Sequence, residues 1–339
     1  MSIYGEGPAT METYDDVSPS TEPDREGLLA RIARSFYLDN MSKVEIAAHY
    51  GISRFKVARH LQEACERGIV RITIRTPNEQ RTDLTSALEG HLGISHVRLV
   101  PPSSDIVKER QALGATAAEI LTTHLRMGQR VGFSWGRTLL PIADYLGELP
   151  STEFVQLTGV VGNDPSKSPI EIIGAISRRS GSTAKALIAP LFSASATVVH
   201  ALRQEPAVTE VLALYEKLDM AFLSVGSWRP RVTQLAQHIS TADQLDLDSK
   251  GACADFGGLF FDTKGRYVDT PINECRLSVS VEQLLATPMV VAVAGQIEKV
   301  HAIHSVCSSG LATHLVTTTE VAEALLDMDP ITKTAYQRN

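Results

Sequence analysis

The chain has 339 residues, a formal net charge of −7 and 43% hydrophobic residues, more than one average domain and enough apolar material for a sizeable core. No apolar run reaches the roughly 20 residues of a membrane-crossing helix, and the opening MSIYGEGPATMETYDDVSPSTEPD lacks the basic start and apolar centre of a secretory signal. A soluble, cytoplasmic protein is therefore expected, with residues 1–25 as a disordered acidic tail. Cys65, Cys253, Cys275 and Cys307 are scattered without C-x-x-C pairing, which fits reduced thiols better than disulfides or zinc. His301 and His304 would share a helix face, but no third ligand is evident, so neither metal nor cofactor is expected.

Beyond the tail, Leu29, Ile32, Ala33, Phe36 and Tyr37 recur at helical spacing. Ser42 to Ala64 then reads SKVEIAAHYGISRFKVARHLQEA, the pattern of two crossed helices joined by a tight turn. Gly51 can take the left-handed backbone that stops one helix just before the next, and Ser42 and Ser53 are the expected N-caps. Ile46, Ala47, Tyr50, Ile52, Val57 and Leu61 would face the first helix. Ser53, Arg54, Phe55, Lys56, Arg59 and His60 would then be left outward, near the N-terminal half of a recognition helix that meets base edges and phosphates in a major groove. An ordinary helical hairpin with a solvated basic face has the same spacing. Charge favours DNA: residues 26–75 hold nine Lys/Arg against five Asp/Glu within an acidic chain.

The following IVRITIR alternates apolar and basic residues like a short strand. It reads as a wing whose Arg71 and Arg75 reach phosphates, or equally as an edge strand protected by charge. A winged helix-turn-helix is thus expected over residues 26–76, and Pro77 with NEQRTD marks a hinge.

From residue 80 the chain repeats an apolar run, a Gly/Ser/Thr bend and a helical pattern, which predicts an α/β domain around a mainly parallel sheet over residues 80–330. The strands expected are RVGF before SWGRTLLPIADYL, FVQL before TGVVGN, KALIAPLF at 185–192, MAFLSV before GSW, MVVAVA before GQIEKVHAIHSV, and ATHLVTT before TEVAEALLD. Ligands of such sheets bind beyond the carboxyl ends of the strands, so these bends should share one crevice. Ser134 to Thr138 is the strongest ligand candidate, with backbone N–H groups facing an anion and Arg137 and Thr138 adding donors. A tight turn with Ser134 as an N-cap would look alike. Lys299, a cation at a helix start, favours a bound anion.

These residues resemble the SorC family of bacterial sugar-binding transcriptional regulators, with DeoR-type and central-glycolytic-gene repressors as relatives. The likeness rests on EIAAHYGISRFKVARHLQEACERGIVRI, SWGRT, GACADFGGLFFDTKGRYVD and AVAGQIEKVHAIHSVCSSGLATHLVTTTEVAEALL. It implies an N-terminal winged helix-turn-helix and a C-terminal effector and oligomerisation domain similar to the sugar-phosphate isomerase and glucosamine-phosphate deaminase fold. It also implies a homotetramer or dimer acting on double-stranded operator DNA. Carried over by motif, Ser134, Trp135, Gly136, Arg137, Thr138, Gly226, Ser227, Asp255, Gly295 and Lys299 would line the site of a sugar, polyol or sugar-phosphate effector. Asp255 suits two vicinal hydroxyls, and this reading is favoured over a carboxylate that merely stabilises a turn. The chain departs from the family's double glycine at Gly295–Gln296, and from its asparagine-glycine-glycine turn at TGVVGN. A regulator of carbohydrate or polyol catabolism is expected, without catalytic residues. A sugar-phosphate isomerase or deaminase is the competing class, for which no compact acid/base motif is seen.

Overall fold

A computed structural model describes residues 22–70, 77–162 and 169–338. The chain divides into two compact units, residues 1–76 and 77–339.

Among its described residues the smaller unit has three helices, α1 (Glu22–Tyr37), α2 (Lys43–Tyr50) and α3 (Arg54–Glu66). Helix α1 begins inside the stretch expected to be tail, and the residues before it lie outside those described. Ser42 closes a capping box: its backbone N–H donates to Glu45 Oε2 at 2.8 Å, and its hydroxyl accepts from Glu45 N at 3.3 Å. Gly51, at φ 65°, ends α2, and the Ser53 hydroxyl accepts from Lys56 N at 3.2 Å to start α3. Leu29, Ile32, Ala33, Ile46, Val57, Leu61 and Ala64 form the core, with Phe36, Ala47, Tyr50 and Ile52 against it. Tyr37, expected inside, is 38% exposed. The expected wing is not seen in the part described, where Ile69 and Val70 form a bend; residues 71–76 lie outside the described residues.

The larger unit contains α4 (Pro77–Leu92), β1 (His96–Val100), α5 (Ile106–His124), β2 (Arg130–Phe133), β3 (Glu153–Gln156), α6 (Pro169–Ser180) and β4 (Thr183–Lys185). It continues with α7 (Ala196–Gln204), α8 (Pro206–Ala213), β5 (Met220–Ser227), α9 (Thr241–Ser249), β6 (Ala252–Phe256) and β7 (Leu259–Asp262). Then follow α10 (Val281–Ala286), β8 (Met289–Val293), α11 (Val300–Ser309), β9 (His314–Thr318) and α12 (Thr319–Leu326). Seven strands pair in parallel in the order β1-β9-β8-β5-β2-β3-β4. Helices cover both faces, which is why the central strands are nearly all apolar. In β8, Val291 and Val293 belong to the core on one face of the sheet, with Leu113 and Ala117 of α5, while Val290 and Ala292 belong to the core on the other, with Ile303 and Val306 of α11.

Strand order reverses between β2 and β5. From β2 the chain builds outward through β3 and β4, and from β5 it builds the other way through β8 and β9, leaving a crevice at the carboxyl ends of β2 and β5. Here β5 outruns its neighbours and pairs antiparallel with the β6–β7 hairpin, setting Gly226 opposite Asp255.

Two expected elements differ. KALIAPLF is not a strand: β4 ends at Lys185, and beyond it only isolated bridges form, at Pro190 and Phe192, since proline supplies no N–H to a ladder. After SWGRT there is no α-helix but a short 3-10 helix, Leu140–Tyr145, with proline in its first turn. The segment after α12 returns across the unit. Ile331 N donates to His91 O at 2.8 Å, Ala335 N to Ser308 O at 2.8 Å and Tyr336 N to Ser309 O at 3.0 Å. The Arg338 guanidinium donates to the carbonyls of Leu284, Thr287, Gly310 and Leu311. Among the described residues no helix is long and apolar enough to cross a membrane.

Candidate functional site

On the smaller unit, α3 presents Arg54, Phe55 and Arg59 to solvent. Phe55 is 70% exposed, and the Arg54 guanidinium lies 5.0 Å from its ring centroid, so cation and ring form one patch. Ser53 is engaged as the cap, and Lys56 is half-buried. His60 leaves the expected outward set. Its side chain is 11% exposed, 4.0 Å from Glu63, and neither ring nitrogen has a hydrogen-bond partner. Standing three residues after Val57 and one before Leu61, it falls on the flank of the buried stripe, and burial lowers its pKa.

In the larger unit, Trp135, Gly136, Arg137, Thr138, Gly226, Asp255 and Lys299 meet at one cleft at the strand-order reversal. The same cleft receives Arg110, Ser224, Thr233, Gln234 and Gln296. Asp255 is 5% exposed, and its Oδ2 has no hydrogen-bond partner. A side chain on Gly226 would put Cβ 1.8 Å from that oxygen, so glycine is required opposite it. Burial pushes the Asp255 carboxyl up to about 6, against the pull of the Thr233 hydroxyl and the Lys299 charge. Lys299 donates to Val225 O at 3.1 Å, and burial pushes it down to about 8, opposed by Asp255 and reinforced by Arg110 and Arg137. The Gln234 amide oxygen accepts from the Arg137 guanidinium.

Two guanidinium groups and an ammonium therefore share the cleft with one carboxylate. Such a lining draws in an anion, while Asp255 offers an acceptor for hydroxyls. Three expected lining residues stand behind the surface. Ser134 is fully buried and donates to Trp135 O at 3.0 Å. Ser227 is fully buried and its carbonyl accepts from Val232 and Thr233 N–H groups. Gly295 packs against Glu109. The expected α-helix N-terminus does not follow Ser134–Thr138, and the segment borders the cleft together with the side chain of Arg110 from α5. Lys299, read from sequence as needing an anion, already has a buried carboxylate neighbour. Arg110 went unread because it approaches from α5 rather than from a strand end. The polar WRPRVTQ loop after β5 was the available signal for Thr233 and Gln234.

A family profile described as "Putative sugar-binding domain" matches residues 76–327. The transcriptional regulator LsrR of Enterobacter sp. (strain 638) is 30% identical over 306 residues, covering 89% of this chain and 93% of the relative. The chain belongs to the SorC family of sugar-binding transcriptional regulators. Within that family, the deoxyribonucleoside regulator of Bacillus subtilis is 26% identical, covering 90% of this chain and 98% of its own. The full-length sorbitol operon regulator SorC of Klebsiella pneumoniae has the same fold, with a TM-score of 0.69 at 23% identity over 91% of this chain and 99% of that one. A SorC-family chain is thus a sugar-modulated regulator of transcription, and its mixed α/β unit with a parallel sheet is the family's.

Proposed function

We propose that this regulator binds operator DNA through α3 and that a sugar phosphate in the cleft sets its operator affinity. One observation carries the ligand class: Arg110, Arg137 and Lys299 converge on a cleft whose one described carboxylate, Asp255, has an unpaired buried oxygen. The cations take the phosphate, and Asp255 accepts from sugar hydroxyls. Arg54, Phe55 and Arg59 supply the groove-facing surface of α3, with Ser53 and Lys56 at its start. A homo-oligomer, dimer or tetramer, would hold two or more such helices at operator spacing. Coupling is reciprocal: if ligand weakens operator binding 10- to 100-fold, roughly 1 to 3 kcal/mol, operator weakens ligand binding by the same factor.

The test is a thermal-shift screen against sugars, polyols and their phosphates. Relatives named for a sorbitol operon and for deoxyribonucleosides put hexitol, hexose and pentose phosphates first. A sugar phosphate should raise the melting temperature and Arg137→Ala should abolish the shift; a shift that survives places the anion elsewhere. Arg54→Ala and Arg59→Ala should weaken operator binding in a gel-shift titration and leave ligand affinity intact. The second reading, a sugar-phosphate isomerase or deaminase of related fold, draws on the Asp255–Lys299 pair. No other carboxylate and no histidine lies among the described lining residues, so we expect no turnover of ribose or glucosamine phosphates.

A further inference from the structure

Only two described residues other than glycine have positive φ, Asn40 and Gln296. Asparagine adopts such a backbone readily and glutamine does not. Gln296, at φ 71° and ψ 123°, is held there from both sides. Its backbone N–H lies toward the buried Glu109 carboxylate, whose pKa it helps lower, and its carbonyl accepts from Lys299 N at 3.0 Å. Gly295 lets Glu109 come this near, since a Cβ there would stand 2.4 Å from Glu109 Oε1. The Gln296 side chain lines the cleft beside Arg110, and its carboxamide hydrogen-bonds to no other described residue. Glycine would fit this backbone without strain, so an unfavourable conformation has been kept together with a side chain that faces the ligand.

We propose that Gln296 is a specificity-determining residue of the cleft, its carboxamide hydrogen-bonding to the sugar part of the ligand next to the bound anion. The inference rests on the reading of the cleft as a sugar-phosphate site. It is tested by calorimetric titration of the full chain, Gln296→Gly and Gln296→Glu. The probes are ribose 5-phosphate, 2-deoxyribose 5-phosphate, glucose 6-phosphate, fructose 6-phosphate and sorbitol 6-phosphate, with inorganic phosphate as the reference. Gln296→Gly should fold at least as well as the parent and hold inorganic phosphate equally. Its affinity for the tightest sugar phosphate should fall about tenfold, as for one lost hydrogen bond, which narrows the spread across the panel. Gln296→Glu should weaken every probe, because a carboxylate then faces the anion. An unchanged spread in Gln296→Gly, or tighter binding once the side chain is gone, would overturn the assignment while leaving the sugar-phosphate site standing. If no sugar phosphate binds the parent or either variant, the reading of the site fails first and this inference with it.

Discussion

Asp255→Asn separates the two roles assigned to this carboxylate, because it should stabilise the unliganded fold and weaken the ligand. In the folded chain the carboxyl sits at about 6 rather than 3.8, with burial the main cause. The fold therefore prefers it protonated, and the penalty for ionising it is absent below pH 4 and complete above about pH 6. At 1.36 kcal/mol per pH unit, the difference between 3.8 and about 6 is worth roughly 3 kcal/mol. Asparagine cannot ionise and escapes that penalty. Part of the gain is offset because Lys299 loses its countercharge, so we expect a net gain of about 1 to 2 kcal/mol at pH 7.5. Urea unfolding of both unliganded proteins at intervals from pH 4.5 to 7.5 measures this. The stability difference should grow with pH and level off above about pH 6. A difference independent of pH would mean that asparagine merely packs differently, and would refute the argument that the fold holds a strained carboxylate.

Other outcomes follow from the same geometry. Affinity for a sugar phosphate should be greatest between about pH 6 and about pH 8, because Asp255 gains a proton below that window and Lys299 loses one above it; calorimetric titration from pH 5 to 9 checks this, with Asp255→Asn as control for the ligand's own ionisation near 6. Gly226→Ala places Cβ 1.8 Å from Asp255 Oδ2, so it should cost about 1 to 3 kcal/mol of stability and abolish ligand binding in a thermal-shift assay. Ser42→Ala removes the hydroxyl half of the capping box, leaving the backbone N–H to Glu45, and should destabilise the smaller unit by about 1 kcal/mol, read as weaker protection of α2 amides in hydrogen exchange.

The two-helix pattern could be read from sequence because its determinants are local. Ser42, Gly51 and Ser53 act on backbone groups within a few residues, and Ile46, Val57 and Leu61 declare their faces by spacing. His60 escaped the same reading because its basic character suggested solvent, whereas its position beside Leu61 turned it inward. In the larger unit, the strands with long apolar runs were plain, but β1 alternates exposed and buried residues at a sheet edge and gave a weaker signal. The cleft was half legible. Gly136, Arg137, Gly226 and Lys299 stand at or beyond the ends of parallel strands, where the rule for such sheets places ligands, while Asp255, inside the antiparallel β6, was named through the family resemblance. Arg110 comes from a helix, and Thr233 with Gln234 from a loop, and only the closed fold brings those to the same point. Ser134 and Ser227 fit the pattern by residue type, yet both are fully buried behind the surface, Ser134 with its hydroxyl bonded to the Trp135 carbonyl.

Helix α11 has Lys299, at the floor of the cleft, as its N-cap, and at its other end Ser308 and Ser309 hold the returning chain. Ten helical residues span about 15 Å as a stiff rod. Beyond the rod, the same returning segment is tied to His91 in α4, the helix that opens the larger unit directly after the stretch leading from α3. Backbone bonds thus join the carboxyl end of α11 to the carboxyl end of α4 through the returning segment. A displacement of Lys299 along the axis of α11 must either carry the returning segment and α4 with it or break their shared backbone bonds.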